Sequence, residues 1–389
     1  MNLRRLAHRL LFQLPRAAAA LPRRRSGSTR SLWAGPAIHT LATKARAERL
    51  TGVDAESLTL QRFSTRADFT YDLTRWSAMP VLGKVLPYVV LAWALRRFDR
   101  FHFFYNRGVL AQIEPGRFNL DELDLLRGAG AQVFFWAYGA DVRGRERTMA
   151  LGEPNCCSEC PAIGELCVCD DRLSSQNYRD IRTRASGCAT MGDMRPYTPG
   201  ADDRVFYWPV DLDDEGGSLF EATEPPQRDT VVVAHAPNNR ELKGTRHLER
   251  AVQTLRDEGI AVTLDLVSGV SNREVLDRFR DADVVFDQCM IGFHGYTALE
   301  AMAIERPVVC FLRDPGLDLV APEECPIVNA HPSELVSALR TLCNDEALRR
   351  RLGTQGRRYV ATHHSLDAVG RRIQAFVNAS LSETKEGNS

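Results

Sequence analysis

In this chain of 389 residues, 50 Lys and Arg balance 50 Asp and Glu, so no overall charge points to nucleic acid or to a strongly anionic partner. The length is enough for two domains, each with its own core. No apolar stretch has the length of a bilayer span, and residues 81–95 are interrupted by Gly83, Lys84 and Pro87.

The first thirty residues hold eight arginines and no acid. Leu3, Leu6, Leu10 and Leu14 recur on one helical face, with Arg4, Arg5, Arg9 and Arg16 elsewhere. Three readings fit: a basic amphipathic helix on an anionic leaflet, an organellar transit peptide, and a disordered tail. We take 1–30 as a leader outside the domains. Our expectation is a cytoplasmic protein with peripheral contact to the inner membrane face through this leader.

From residue 30 onward, strand and helix patterns alternate. Residues 31–34 read as a strand and 41–50 as a helix. Strands at 101–105 and 133–138 flank a helix at 120–127, and 204–208 closes this half. Five of the ten cysteines fall between 156 and 169, in CCSECPAIGELCVC. Cys157, Cys160, Cys167 and Cys169 have spacing suited to a tetrahedral thiolate site, so structural Zn²⁺ is one reading and a metal-free loop the other. Residues 211–228, DLDDEGGSLFEATEPPQR, are acidic and rich in Gly and Pro, which is linker chemistry.

The second half opens on VVVAHA, followed by a helix at 245–258, a strand at 261–267 and a helix at 272–281. Strands at 282–287 and 306–312 enclose a helix at 296–304. A last strand at 326–329 precedes helices at 332–343, 346–352 and 357–379, the final one broken at His363–His364 where Ser365 can cap. Such alternation implies two parallel sheets with right-handed crossovers. The domains expected are 31–212, a linker at 213–229, and 230–389 with closing C-terminal helices. Walker A and G-x-S-x-G sequences are missing, and Gly128-Ala129-Gly130 precedes its strand instead of following it.

The most informative segment is ADVVFDQCMIGFHGYTALEAMAIERPVVCF, residues 282–311. It reads as strand, glycine-bearing loop, helix, strand. A strand feeding a helix through such a turn aims backbone amides and a positive dipole end at an anion, here a phosphate. Glu300, flanked by Leu299, Ala301 and Met302, needs a polar partner, and ribose hydroxyls would supply one.

The pattern G-x4-E-A-M-A-x3-P-V-V resembles the donor-binding segment of family-4 retaining glycosyltransferases of the GT-B fold. The resemblance implies two Rossmann-like α/β domains with parallel sheets facing across a crevice. It also implies transfer of a hexosyl group from a nucleotide-diphospho-sugar to a hydroxyl acceptor with retention, and no cofactor for catalysis. Carried over by position, Gly295, Tyr296 and Thr297 would hold the diphosphate and Glu300 the ribose. HAPNNRELKGTRHL follows the strand at 231–234. In the resemblance this loop carries a lysine on the donor phosphates, which Lys243 matches, while the usual arginine position is Asn238 and Arg240 lies nearby. His235, Asn239 and Gln288 complete the expected donor side.

Two departures from the pattern stand out. Gly292 replaces the first of two glutamates, the one that meets the donor sugar, so Asp287 and Gln288 are candidates for that contact. Glu305 replaces a helix-ending glycine. In the first half, Phe135–Arg143 resembles the family's H-G-x-D loop with Tyr138 in the histidine's place. Tyr138, Gly139, Asp141 and Arg143 would then face the acceptor, with Asp141 catalytic beside Lys243, Arg240 and Glu300. His102, in FHFFYN, is either an acceptor-side group or a packed core histidine. The acceptor stays open among lipid-linked sugars, polysaccharides and small metabolites. Alternatives are an epimerase or hydrolase on the same fold, or a nucleotide-sugar binding protein without catalysis, which Gly292 motivates.

Overall fold

The computed structural model of the chain describes residues 3–22, 27–62, 68–160 and 169–386. Among the described residues, eleven strands form two wholly parallel sheets. The first contains β1 (Arg30–Ala37), β2 (Asp54–Arg62), β3 (Tyr71–Asp72), β4 (Arg100–Phe104), β5 (Gln132–Trp136) and β6 (Gly187–Ala189), in the order β3-β2-β1-β4-β5-β6. The second contains β7 (Val231–His235), β8 (Val262–Leu266), β9 (Val284–Phe286), β10 (Val308–Cys310) and β11 (Val328–Asn329), in the order β11-β10-β9-β7-β8. Helices connect the strands, as the parallel pairing requires.

The sheets are built from different residues. Strands of the second read VVVAH, VVF and VVC, buried on both faces as parallel strands should be. Their core joins Val233, Val284, Phe286 and Val309 to Leu248, Leu335 and Leu339 of the covering helices. The first sheet is aromatic: Trp33, Phe101, Phe103, Phe104, Phe134, Phe135 and Trp136 are all buried. Large flat side chains fill the layer that branched aliphatics fill in the other unit.

The chain divides into two compact units, but not at a single point. The first unit comprises Met1–Gly144, Val168–Pro209 and Val369–Ser389; the second comprises Arg145–Cys167 and Val210–Ala368. This differs from the expected division in four places: the leader and the end of the chain fall in the first unit, and residues 145–167 and the acidic segment in the second. The last helix, Leu366–Glu386, belongs from Val369 onward to the first unit, where Phe376 meets Phe134 and Trp136 with ring centroids 5.7 and 5.2 Å apart. The acidic segment is a packed strap of the second unit. Residues Asp214–Phe220 form a 3₁₀ turn with Leu219 and Phe220 buried. Arg280 donates to the carbonyls of Ser218 and Glu221, Arg357 to that of Phe220, and Arg306 to that of Thr223. Acidic composition suggests a solvated tether, yet arginines from two helix ends and from the turn before β10 hold the strap through its backbone.

Ahead of β1, Leu3–Leu11 and Gln13–Ala20 are helices that belong to the first unit. Helix Leu82–Arg97 carries Pro87 inside it. Among the described residues no helix is long and apolar enough to cross a membrane.

Candidate functional site

In a doubly wound sheet, ligands gather where the strand order reverses direction. In the second unit that point lies between β7 and β9, because the chain runs from β7 out to β8 and returns past β7 to β9. The loops leaving those two strands are the ones singled out by the sequence: 236–244 and 287–295.

Local signals fix both loops. Asn239 caps the short helix Arg240–Lys243 by accepting from Leu242 N at 2.8 Å. Gly244 then turns left-handed (φ 76°), and helix Thr245–Asp257 follows. A Cβ at Gly244 would stand 2.4 Å from Cys289 Sγ, so only glycine lets the loops meet this closely. They are also joined directly, Cys289 N donating to Lys243 O at 3.2 Å.

At their centre Lys243 Nζ donates to Asp287 Oδ1 at 2.9 Å, and Asp287 Oδ2 accepts from the amide of Gly295. The Asp287 side chain is 1% exposed and that of Lys243 13%. Burial alone would raise the pKa of Asp287; Lys243 and the Gly295 amide outweigh it and hold the carboxyl below its ordinary value. Gly295 is the N-cap residue of helix Tyr296–Ala303 and supplies no side-chain cap to its first turn.

One turn into that helix, Glu300 is buried and accepts from Asn272 Nδ2 at 2.9 Å. Burial raises its pKa to about 7, against the Asn272 bond and aided by Asp287. Asn272 begins helix Asn272–Asp281, set by a capping box of Ser271 with Glu274. Its part in the site carried no sequence signal, since it lies ten residues before the diagnostic segment.

Other expected donor residues have structural partners. His235 Nδ1 contacts Phe286 O at 2.9 Å, and Nε2 contacts Thr245 Oγ1 at 2.9 Å. Burial lowers the pKa of His235 to about 4, so the ring is neutral, with Nδ1–H donating to the carbonyl. Gln288 is fully buried. Its Nε2 donates to Phe293 O and Phe311 O at 2.6 and 3.1 Å, and its Oε1 accepts from Met290 and Ile291 amides at 2.8 and 2.7 Å. It staples the loop instead of facing outward. Arg240 forms an exposed pair with Glu249 at 2.5 Å. Tyr296 and Thr297 form the first turn of the Glu300 helix, as expected.

Gly292, in the place of the expected first glutamate, has φ 89°, and a Cβ there would lie 3.0 Å from Arg313 Cβ. Arg313 donates to Leu151 O at 3.0 Å and to Pro154 O, and crosses the Phe311 ring at 5.4 Å. A side chain here would need a left-handed backbone and would press against Arg313.

In the first unit, Asp141 accepts from the amides of Tyr138, Gly139 and Tyr105 at 2.9, 3.0 and 3.2 Å. Burial lifts its pKa to about 6 despite those bonds. Tyr138 OH accepts from Asn106 Nδ2 at 2.8 Å, and Arg143 Nε donates to Asp193 Oδ2 at 3.1 Å. His102 is a core residue, of its two readings. It accepts from Trp136 Nε1 at 3.0 Å, stacks on Trp33 with centroids 4.0 Å apart, and faces Glu48 at 3.5 Å. Sequence reasoning passed over Lys44, which is fully buried among Tyr207, Phe104 and Trp33 and whose pKa burial pulls down to about 7. Only four of the 50 basic residues are lysines, which sets Lys44 apart by residue type as it does Lys243.

Of the cysteine set, Cys157 is buried, Cys160 and Cys169 are half-buried, and Cys167 lies outside the described residues. Among the described residues no three metal-ligating side chains come together. A cavity of about 670 Å³ between the strap and Arg349 and Arg350 opens at the amino ends of β9 and β10. That is the opposite end of the sheet from Lys243, and its charges pair among themselves, as Arg350 does with Glu346 at 2.8 Å.

No protein-family model matches the sequence, and no curated protein matches it. Solved structures do. The chain is similar to sucrose-phosphate synthase from Thermosynechococcus elongatus (15% identity, TM-score 0.55, over 93% of this chain and 100% of that one). It is similar to Anabaena HepE, crystallised in complex with UDP-glucose (10% identity, TM-score 0.55, over 90% and 100%). It is also similar to WaaG, a glycosyltransferase involved in lipopolysaccharide biosynthesis (10% identity, TM-score 0.54, over 89% and 99%). Likeness at such identities is likeness of fold: two parallel-sheet α/β domains of the GT-B type.

Proposed function

We propose that the protein is a glycosyltransferase that takes a hexosyl group from a nucleotide-diphospho-sugar and transfers it to a hydroxyl acceptor with retention, in the manner of family 4. One observation carries this reading: Lys243 Nζ and the Gly295 amide converge on the same carboxylate at the strand-order reversal. Two donors that hold separate oxygens of one carboxylate are spaced to hold two oxygens of one phosphate group. Glu300, buried one turn on, is suited to ribose hydroxyls that would replace its loss of water.

In the reaction the bond from the anomeric carbon to the diphosphate oxygen breaks, and a bond to the acceptor oxygen forms on the same face. The acceptor's proton leaves with the departing phosphate. Lys243 and the amides of Gly295, Tyr296 and Thr297 stabilise the negative charge growing on the diphosphate. No step in this reading needs a metal. Tyr138, Gly139, Asp141 and Arg143 belong to the acceptor side in this reading, and His102 belongs to the core of the first unit.

Calorimetry against a panel of nucleotide-diphospho-sugars tests the reading, followed by product analysis with and without hydroxyl acceptors. Binding that Lys243→Ala weakens at least tenfold is the expected result. Wild-type affinity in that variant, or no binding across the panel, would sink the reading. Rapid turnover without any acceptor would mark an epimerase or hydrolase instead.

A further inference from the structure

The leader helices are oriented against expectation. Leu3–Leu11 and Gln13–Ala20 run almost continuously, Phe12 N donating to His8 O at 2.8 Å and Arg16 N to Phe12 O at 3.2 Å. An amphipathic helix docked on a domain should turn its leucines inward. Here the inward side chains include His8 and Pro15, both buried. His8 Nδ1 contacts Tyr88 OH and Nε2 contacts Asp121 Oδ2, each at 2.9 Å. The leucines point outward: Leu6, Leu10, Leu14 and Leu21 are 39, 68, 47 and 56% exposed.

The neighbouring segment does the same. Helix Leu82–Arg97 packs along Gln13–Ala20, and near its start Trp76, Met79 and Val81 are 53, 48 and 78% exposed. Scattered apolar residues on a surface need no explanation, but a row of leucines exposed along one helical face does. Charge selects the occupant. Residues 1–47 and 73–98 contain no acid, while Arg9, Arg16, Arg75 and Lys84 are exposed in these two segments. A second copy seated on this face would bring matching arginines together, whereas an anionic leaflet would pair with them.

We propose that the outward face of residues 6–21 is a docking surface for an anionic lipid bilayer. Leucines enter the acyl boundary, and arginines stay at the headgroups. The surface is independent of the donor site, and its test does not depend on the proposed reaction.

Deleting the leader is a poor test, because it would also uncover Leu82–Arg97. Point substitutions on the outward face avoid this. Full-length protein is sedimented with vesicles of mixed phosphatidylglycerol and phosphatidylcholine, and with phosphatidylcholine alone. Wild type binds the anionic vesicles roughly tenfold more tightly. The pair Leu10→Gln and Leu14→Gln lowers that binding about tenfold, with an unchanged thermal unfolding midpoint. The pair Arg9→Gln and Arg16→Gln lowers it similarly and flattens its salt dependence. The proposal is overturned if wild type ignores anionic vesicles, or if the leucine variant binds like wild type. It is also overturned if wild type is a dimer in solution that Leu10→Gln dissociates.

Discussion

Arg313 lies across Gly292 so closely that a Cβ on the glycine would stand 3.0 Å from Arg313 Cβ and 3.1 Å from its Nε. With φ at 89°, the position resists any side chain on two counts. Gly292→Ala should therefore lower stability by about 2 kcal/mol, and Gly292→Glu by more. Restoring the glutamate of the resembled pattern should not raise donor affinity. Chemical denaturation with calorimetry on both variants checks this; a stable Gly292→Glu protein with tighter donor binding would contradict it.

Removing Lys243 should have a stability signature as well as a functional one. Asp287 has a lowered folded pKa, so its contribution is present above the ordinary carboxylate pKa and lost as pH falls through the lowered value. Lys243→Met strips the partner from a buried carboxylate and should cost about 3 kcal/mol at neutral pH. Without Lys243, burial pushes the Asp287 carboxyl up, so the acid-induced loss seen in wild type should shrink or reverse and the variant's deficit should narrow as pH falls. Parallel pH–stability curves would expose the idea as wrong if they coincided.

Glu300 has the opposite sign. Its folded pKa of about 7 lies above the unfolded value, so its contribution is complete at low pH and is lost as pH rises through about 7. Glu300→Gln keeps an acceptor for Asn272 and removes the buried charge. It should raise stability by roughly 2 kcal/mol at pH 8 and by little at pH 4, while weakening nucleotide binding. A gain in stability without loss of binding would remove Glu300 from the proposed site and leave it as a buried structural acid.

The strap offers a mechanical test. Arg306 donates to the carbonyls of Phe279, Arg280, Ile304, Glu305 and Thr223. Arg306→Met leaves these acceptors short of a charged donor and should cost about 3 kcal/mol. Hydrogen exchange at residues 218–228 should accelerate more than at β7. Uniform acceleration across the second unit would show that the arginine supports the whole fold and not the strap.

Legibility followed burial. In the second unit, VVVAH, VVF and VVC announce buried parallel strands, and the break before Ser365 is visible because Ser365 Oγ accepts from Ala368 N at 3.3 Å. Strand β2, DAESLTLQR, gave no signal because Ser57 and Thr59 are buried polar residues, with Ser57 bonded to Thr70. Pro87 hid the helix around it. Loops 236–244 and 287–295 were locatable because each directly follows a strand pattern and the second leads into a helix start at 296. Asn272 and Arg313 act on those loops from other elements, and the inward turn of His8 depends on Tyr88 and Asp121, which no helical period encodes.

The last helix has a consequence for how the protein is made. Phe376 closes the aromatic layer around Phe134 and Trp136, so the unit that leaves the ribosome first lacks part of its core until almost the whole chain has been synthesised. The second unit has no such debt beyond Ala368. During vectorial synthesis the later half should therefore reach its native state first, leaving the earlier half, with its exposed rings, as the chaperone-dependent one.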